Sequence, residues 1–554
     1  MTPIDALKTY FGYDSFRPLQ EDIVMSVLNG HDTLALLPTG GGKSVCFQIP
    51  TLVSEGLCVV ITPLIALMKD QVENLSKRNI HAAAIYTGMS YEKQQTALDN
   101  CQYGPYRFLY VSPERLMSED FRNRLNTLPI TMIAVDEAHC ISQWGYDFRP
   151  AYLHIADIRK DGIPILALTA TATPKVVDDI QNRLGFKEKN VIRQSFARDN
   201  LSYVVRYCSD RQEKEQQLQH ILSRVHGSSI VYVRNRKRAE DLSQLLQCSF
   251  YHAGLSPEER TRRQKSWKES QTTMVCTNAF GMGIDKSDVR LVIHYDLPDT
   301  PEAYFQEAGR AGRDGINAYA VLLYAPEDKS IALRRIATNY PDKEFVSQVY
   351  HNTCDYFCIG LGSGLGHSFA LHIDDLCQVM HLPILQTYSA LHLLSQAGYI
   401  HFEDEQETQP RVKIMVSRQE LTNFSISEQQ NNLLQQLMRL YPGIFTELQY
   451  LHLEMTDSLH EILSSLASRH IITYIPRTRA CLFTMTQVRQ ADIHLSQEIY
   501  ESRAERYAYR LHAMIEYAEN RQFCRQQLLL SYFGEDNAPV CKHCDICRTH
   551  TTKN

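Results

Sequence analysis

Residues 33–44 read Thr33-Leu34-Ala35-Leu36-Leu37-Pro38-Thr39-Gly40-Gly41-Gly42-Lys43-Ser44. The apolar run that opens this segment predicts a buried strand, and a helical pattern follows Ser44. In a strand–loop–helix context, glycines let backbone N–H groups close around phosphate oxygens, Lys43 adds a positive charge and Ser44 can ligate Mg²⁺. Residues 39–44 are therefore the candidate phosphate loop. Leu37 replaces the first glycine of the usual pattern, so the loop is a variant, and a Gly-rich turn without a ligand is the alternative.

Outward from this loop, short apolar runs alternate with longer helical patterns between residues 30 and 325. Strands that are apolar on both faces and separated by helices predict parallel sheets covered on two sides. The predicted strands are residues 33–37, 59–62, 108–111, 132–135, 165–168, 229–233, 273–276, 289–293 and 319–323. These strands are more than one domain is expected to hold, so we predict a domain boundary near residue 205.

An acidic pair closes the predicted strand 132–135, in the sequence Asp136-Glu137-Ala138-His139. A carboxylate at the carboxyl end of a strand beside a phosphate loop is placed to hold Mg²⁺, which favours Asp136 as a metal ligand. Glu137 can take a proton from an attacking water. An acidic pair after a strand is more often a helix N-terminus, but the upstream loop favours the metal interpretation.

Two arginines stand three residues apart in the second sheet region, within residues 306–313. Arg310 and Arg313 share one face if this segment is helical, and rigid forked donors suit the charge of a transferring phosphoryl group. A surface arginine pair is the alternative. If a second lobe supplies these arginines to a nucleotide on the first, lobe closure depends on ATP.

The motifs across residues 11–315, and the order in which they follow one another, resemble those of superfamily 2 helicases. The resemblance is specifically to the RecQ family of DNA helicases. The resemblance implies two RecA-like lobes, ATP and Mg²⁺ as cofactors, and Lys43, Asp136, Glu137, His139 and the two arginines as catalytic residues. Residues 11–20 resemble the adenine-reading segment, which assigns Gln20 to the base with Tyr13 and Arg17 beside it. Residues 277–286 resemble the lobe-two motif, which adds Asp285 to the nucleotide site. Residues 62–71 and 112–115 resemble the strand-gripping motifs of lobe one, and residues 168–172 resemble the motif that couples the ATP and DNA sites.

Residues 140–150 resemble the aromatic-rich loop of the same family. Trp144 and Phe148 offer π-faces to unpaired bases, and Arg149 offers a cation for phosphate or stacking. The alternative is that both aromatics are core anchors, the usual role of such side chains. Tyr146 stands where the family commonly has histidine, which bears on how strongly DNA binding and ATP hydrolysis are coupled.

Four cysteines near the end of the chain, Cys524, Cys541, Cys544 and Cys547, have the spacing C-x16-C-x2-C-x2-C. Such steps let thiolates reach one tetrahedral ion, and four soft ligands favour structural Zn²⁺. A disulfide pair or inert thiols are the alternative, and His543 is the only plausible substitute ligand. The flanking residues also resemble the RecQ zinc module, which in the family directly follows lobe two.

Helical patterns dominate after residue 340, and their spacing predicts two winged-helix-like units or, alternatively, plain helical connectors. Strands 399–402 and 412–415 would pair in the first unit, and strands 471–474 and 482–485 in the second. The expected fold is α/β, with two RecA-like parallel-sheet lobes, these units and a small zinc module. The expected domains are lobe one 1–205, lobe two 206–340, winged-helix-like 341–417 and 418–495, and the zinc module 496–554.

Composition sets few limits on function. The net charge of −6 argues against a protein that is basic throughout, but not against a local basic stripe. No apolar run approaches the roughly 18 residues that span a bilayer, and the first residues lack a secretory pattern. We therefore expect a cytoplasmic protein, nucleoid-associated if bacterial, that acts on single-stranded, duplex or forked DNA. A DNA-binding scaffold without motor activity and an RNA helicase are the competing hypotheses.

Overall fold

Seven parallel strands form the first sheet in the computed structural model of this chain, in the order β3-β4-β2-β5-β6-β1-β7. The structure describes residues 1–38, 40–145, 148–281, 286–408, 410–421, 424–441, 443–446, 448–451, 453, 456–476 and 478–551. The strands are β1 Thr33–Leu36, β2 Leu57–Ile61, β3 Ala82–Ile85, β4 Phe108–Val111, β5 Ile130–Val135, β6 Ile165–Thr169 and β7 Val191–Arg193. Strands β1, β2, β4 and β6 are buried along their whole length, as expected for a sheet covered on both faces.

Helices on both faces complete this first lobe. They are α1 Pro3–Ala6, α2 Gln20–Leu28, α3 Lys43–Val53, α4 Ile65–Ser76, α5 Tyr91–Tyr103, α6 Glu119–Leu125 and α7 Pro174–Arg183. A π-helical turn spans Leu7–Phe11, and 3-10 turns span Pro113–Met117, Ala138–Ile141 and Pro150–Ile158. The carboxyl ends of β1, β5 and β6 lie together at one edge, where ligands bind in open α/β sheets.

The second lobe is a six-stranded parallel sheet in the order β10-β11-β9-β12-β13-β8. Its strands are β8 Leu201–Tyr207, β9 Ser228–Tyr232, β10 Ser249–Tyr251, β11 Thr273–Cys276, β12 Val289–His294 and β13 Ala318–Tyr324. Its helices are α8 Arg211–Arg224, α9 Arg236–Leu246, α10 Pro257–Glu269 and α11 Pro301–Ala308, and α12 Pro326–Asn339 follows. The chain passes between the sheets over residues 194–200, so the predicted break at residue 205 falls inside β8.

The chain divides into two units, one of residues 1–330 with 510–554 and the other of residues 331–509. The first unit holds both lobes and the cysteine-bearing C-terminal segment, with α20 Arg525–Tyr532 and α21 Asp545–Thr551. Helix α19, Glu501–Glu519, crosses the division. The expected parallel-sheet architecture of the two lobes is confirmed.

The second unit contains two small antiparallel sheets, ordered β14-β19-β15 and β17-β16-β18. Its strands are β14 Ser368–Leu371, β15 Ile400–Thr408, β16 Arg411–Ile414, β17 Gln449–Tyr450, β18 Ile472–Ile475 and β19 Thr478–Met485. Its helices are α13 Lys343–Tyr356, α14 Ile373–Met380, α15 Ile384–Gln396, α16 Arg418–Leu421, α17 Glu428–Leu440 and α18 Asp457–Ser468.

The predicted strand pairings in this unit are wrong. β15 pairs with β19, with Phe402 opposite Phe483, and β16 pairs with β18, with Ile414 opposite Ile472. Each pair faces its own apolar core, so the segment from β16 to β18 is nested between two strands of the outer sheet. The expected units 341–417 and 418–495 therefore interleave, because cross-strand burial and not sequence order decides which strands pair.

Within the described residues, no helix combines the length and the hydropathy needed to cross a membrane.

Candidate functional site

The phosphate loop connects β1 to α3 at the carboxyl edge of the first sheet. Gly40 and Gly42 have φ values of +83° and +76°, a region that side chains with a Cβ rarely occupy. The N–H of Gly41 donates to the carbonyl of Pro38 over 2.9 Å, which closes the turn just before the helix begins at Lys43. Thr39, also predicted to bind nucleotide, lies outside the described residues. The loop therefore aims a helix N-terminus at the space beside β1, an arrangement suited to phosphate.

The acidic pair lies directly across from the loop. The Lys43 ammonium is 3.7 Å from Glu137 Oε1, and both side chains are mostly buried. Asp136 Oδ2 accepts from the Thr62 hydroxyl at 3.4 Å, at the end of the neighbouring strand β2. The two carboxyl groups and the ammonium thus share one small, poorly hydrated space.

Burial and nearby charges shift the pKa values of the two carboxyl groups in opposite directions. Burial, with the adjacent Glu137, raises the pKa of Asp136 to about 6. Burial also opposes ionisation of Glu137, but the charges of Lys43, His139 and Arg310 hold its pKa below the ordinary value. A cation beside Asp136 would restore its ionised form, which makes the pocket suited to a divalent metal.

The hydroxyl of Ser44, the other predicted magnesium ligand, is held by hydrogen bonds that run through two glutamine side chains. Gln71 Nε2 donates to Ser44 Oγ at 3.3 Å, and Gln48 Nε2 donates to Gln71 Oε1 at 3.1 Å. Gln71 lies on α4 in the segment 62–71, so that segment contacts the nucleotide site directly. Ser44 and Asp136 both present oxygen to this region, the donor type that Mg²⁺ prefers.

The predicted adenine-reading segment is tied to the phosphate loop. Gln20 is buried, and its Nε2 donates to the carbonyls of Gly41 and Gly42 at 3.2 and 3.1 Å. Its Oε1 accepts from the N–H of Arg17 at 2.9 Å, and the Arg17 guanidinium donates to the Gly40 carbonyl. Tyr13 is 52% exposed, with a ring face open to a base. The three residues therefore sit at the loop, and their recognition of adenine remains a prediction.

The second lobe supplies both predicted arginines to this region. The Arg313 side chain lies against the phosphate loop, such that a Cβ built on Gly40 would be 3.5 Å from Arg313 Cδ. Arg310 is 4% exposed and close enough to Glu137 to lower its pKa. The helix before them, α11, is fixed at its start because the Thr300 hydroxyl accepts from the N–H of Ala303. Two lobes thus surround one space between β1 and α11.

Two linker residues, Arg198 and Asn200, hold the arginine segment in place although no motif singles them out. Arg198 Nη2 donates to the carbonyls of Ala311 and Gly312 at 3.0 and 2.8 Å. Asn200 Nδ2 also donates to Gly312 at 2.7 Å. The only sequence signal was their position in the break between the two predicted sheets, which does not indicate what they contact.

His139 joins the acidic pair to the next strand. Its Nδ1 lies 2.8 Å from the Thr169 hydroxyl and 3.3 Å from Glu137 Oε2. Thr169 ends β6 and begins the segment that resembles the coupling motif. The imidazole is buried and contacts both residues, so a displacement of this segment would also move the Glu137 carboxylate.

The aromatic-rich loop follows immediately. Trp144 is 41% exposed, and the ammonium of Lys175 lies 4.9 Å from its ring centroid. Phe148 is half-buried, and Arg149 Nη1 is 3.9 Å from a Glu114 carboxylate oxygen. Tyr146, whose effect the sequence left open, lies outside the described residues, as does Asp285 of the lobe-two motif. Exposure favours a binding surface at Trp144 over a core anchor.

The four C-terminal cysteines converge on one point. Their sulfur atoms all lie within 4.8 Å of one another, with Cys541 and Cys547 3.9 Å apart and Cys524 and Cys544 4.0 Å apart. A tetrahedral Zn²⁺ with bonds of about 2.3 Å separates its sulfurs by about 3.8 Å. The N–H groups of Cys541, Cys544 and Cys547 point at cluster sulfurs at 3.3 to 3.4 Å, which stabilises thiolates. The group therefore fits structural zinc.

Three family models match successive parts of the chain: "DEAD/DEAH box helicase" over residues 17–180, "Helicase conserved C-terminal domain" over 190–315 and "RecQ zinc-binding" over 485–548. In Bacillus subtilis, the probable ATP-dependent DNA helicase RecS is 41% identical over 332 residues, covering 58% of this chain and 66% of the relative. The ATP-dependent DNA helicase RecQ of the same organism is 41% identical over 333 residues, covering 58% and 56%.

The chain thus spans about two thirds or less of the length of these curated relatives. Among solved structures, Saccharomyces cerevisiae Dbp5 bound to RNA and ADP BeF3 aligns with a TM-score of 0.50 and 19% identity, covering 61% of this chain and 90% of that one. This likeness concerns the fold alone. With the helicase models, the RecQ-named relatives and the four-cysteine cluster of the zinc module, the chain belongs to the RecQ family of DEAD/DEAH-box helicases.

Proposed function

We propose that this protein is an ATP-dependent DNA helicase that moves along single-stranded DNA and separates the duplex ahead. The observation that carries the proposal is the packing of Arg313, from the second lobe, against Gly40 of the phosphate loop on the first. A nucleotide in this space would be held from both sides, so each cycle of binding and hydrolysis would close and reopen the lobes. The names of the relatives, DNA helicases, support DNA as the substrate.

In the proposed mechanism, Lys43 and the loop N–H groups bind phosphate, and Gln20 with Tyr13 and Arg17 hold the adenine. Glu137 accepts a proton from the attacking water, since its lowered pKa keeps it ionised. Arg310 and Arg313 donate to the terminal phosphate, while His139 orients Glu137. Ser44 and Asp136 would hold Mg²⁺, which supplies positive charge to the phosphates when bound.

The direction of movement, 3′ to 5′, and action on forked or junction DNA in recombination and repair are proposed from the family resemblance. As a DNA-acting enzyme it would work in the cytoplasm, at the nucleoid if the source is bacterial. One assay tests these points together: labelled forked, tailed and four-way DNA substrates are incubated with ATP and the products are separated. We expect unwinding of forked and 3′-tailed substrates. No ATP-dependent strand separation of any of these DNA substrates would contradict the proposal.

Trp144→Ala should lower DNA-stimulated ATP hydrolysis while leaving basal hydrolysis nearly unchanged. The reason is that the exposed ring would stack on a base, an interaction of about 1 to 3 kcal/mol, and is not part of the nucleotide site. The rate is measured with and without single-stranded DNA. Tyr103→Ala, at an aromatic that is 80% exposed on α5, is the matched control and should behave as wild type. An equal fall of both rates would instead favour a structural role for Trp144.

A further inference from the structure

The zinc module contacts both lobes and the linker between them. Glu535 accepts from the Ser195 hydroxyl at 2.7 Å and from the N–H of Phe196 at 3.0 Å. Gly534 abuts the start of α7, because a Cβ there would lie 2.7 Å from Pro174 Cγ. The module thus rests on the linker that joins the two lobes, although residues 331–509 of the other unit intervene in the sequence.

One side chain of this module reaches the aromatic loop. Arg510, on α19, donates from Nη1 to the carbonyl of Gly145 at 3.1 Å. Gly145 directly follows Trp144 and is tightly packed, since a Cβ there would lie 2.4 Å from the His139 carbonyl. The contact therefore connects α19 to the loop at the residue next to the candidate base-stacking ring.

The zinc module also contacts a buried carboxyl group in the second lobe. Glu302 is 4% exposed in the first turn of α11, and Tyr532 of the zinc module donates to its Oε1 at 2.8 Å. Within the described part of the chain, its Oε2 is buried without a hydrogen-bond partner. Burial raises the pKa of Glu302, and the charge of Arg510 is the largest opposing influence. Arg510 thus helps to keep this carboxyl group ionised.

Helix α11 is clamped to the module along its length. Tyr304 packs against Tyr517 with ring centroids 5.1 Å apart, and Phe305 packs against Phe533 at the same separation. Arg310 follows this helix by two residues. A displacement of the module is therefore passed to α11 by rigid aromatic contacts and reaches the arginines.

We propose that Arg510 is a positioning residue that joins the aromatic loop of the first lobe, at Gly145, to the arginine-bearing helix of the second, which α19 holds through the contact of Tyr517 with Tyr304. The proposal rests on the proposed function, because it assigns Arg510 the task of carrying the DNA-bound state of the loop to Arg310 and Arg313. Arg510 acts through the residues that it holds.

The first test compares Arg510→Ala, Arg510→Lys and, as matched control, His512→Ala, an exposed position on the same helix. Arg510→Ala should lower the DNA-stimulated kcat about tenfold, which corresponds to about 1.4 kcal/mol. Basal kcat, the KM for ATP and zinc content should stay as in wild type. Arg510→Lys should recover most of the loss, because it keeps the charge and a donor. Wild-type stimulation in Arg510→Ala, or an equal fall in basal kcat, would overturn the proposal.

A double-mutant cycle tests the second half of the connection. Glu302→Gln keeps an acceptor for Tyr532 and removes the negative charge on α11 whose pKa the charge of Arg510 lowers. It should lower DNA stimulation in the same direction, and combining it with Arg510→Ala should add little further loss, since both variants break one connection. Independent, additive losses would contradict the proposed link between the two residues.

A readout that needs no activity separates this proposal from the proposed function. The chain has two tryptophans, and Trp267 is fully buried, so acrylamide quenching of fluorescence reports mainly on Trp144. Arg510→Ala should raise the quenching constant clearly above wild type, because the loop is released, whereas His512→Ala should not. Unchanged quenching overturns the positioning role even if the enzyme is stimulated by DNA. If Arg510→Ala raises the quenching constant but DNA does not stimulate ATP hydrolysis by the wild-type protein, the Arg510 contact is supported and the proposed function is rejected.

Discussion

Replacing Arg313 with alanine should lower ATP turnover about a thousandfold, the scale found when an arginine that contacts the transferring phosphoryl group is removed. The side chain lies against Gly40, whereas the phosphate-binding Lys43 belongs to the first lobe and pairs there with Glu137, so nucleotide affinity should change far less than kcat. Steady-state hydrolysis gives kcat, and binding of a labelled nucleotide gives Kd.

The matched control for this prediction is Arg262→Ala, an arginine of the same lobe whose side chain is 75% exposed and paired with Glu259. It should hydrolyse ATP as wild type. Lys43→Ala should abolish hydrolysis from the opposite side of the site. If Arg313→Ala turned over ATP at the wild-type rate, Arg313 would have no part in hydrolysis.

Cys544→Ser should remove zinc and sharply destabilise the C-terminal module. Structural Zn²⁺ binding in small domains is worth about 10 to 16 kcal/mol of folding free energy, far more than the stability that so small a core provides. The module holds the linker through Glu535 and lobe two through Tyr517, so ATP hydrolysis should fall as well. Metal content by mass spectrometry and the thermal midpoint of unfolding check the prediction.

Cys358→Ser is the control, because this cysteine is exposed and outside the cluster. It should retain wild-type zinc and Tm. A full complement of metal in Cys544→Ser would remove Cys544 from the ligand set and leave the site with three thiolates or another ligand.

The parts of the fold that the sequence predicted are those determined locally. Strands such as β2 and β6 are apolar on both faces, so the local sequence is enough to predict them. Among the missed strands of the lobes, β3 is rich in alanine and β8 carries the polar Ser202 and Arg206, and each lies at a sheet edge. β8 gains its cover from the zinc module, where Asp545 accepts from the N–H of Val205 at 3.0 Å. No local pattern indicates a partner so distant in sequence.

The residues of the candidate site also form two groups, those that local motifs predict and those that only tertiary folding brings to the site. Lys43, Asp136 and the paired arginines stand in short motifs whose chemistry follows from residue type and spacing. Arg198 and Arg510 do not, because each acts on a backbone carbonyl of a segment that tertiary folding brings to it. The nested sheets of residues 331–509 were mispaired for a related reason, since alternating apolar residues predict a strand but not its neighbour.

Cross-linking of Gly40 to Arg313 tests most directly whether both lobes form the nucleotide site. A Cβ at Gly40 would lie 3.8 Å from Arg313 Cβ, which matches the usual separation of about 3.8 Å in disulfides. In a chain carrying Gly40→Cys and Arg313→Cys, mild oxidation without nucleotide should yield the two peptides joined, as seen by mass spectrometry before and after reduction. Recovery of both thiols unlinked, each alkylated separately, would contradict a site shared between the lobes.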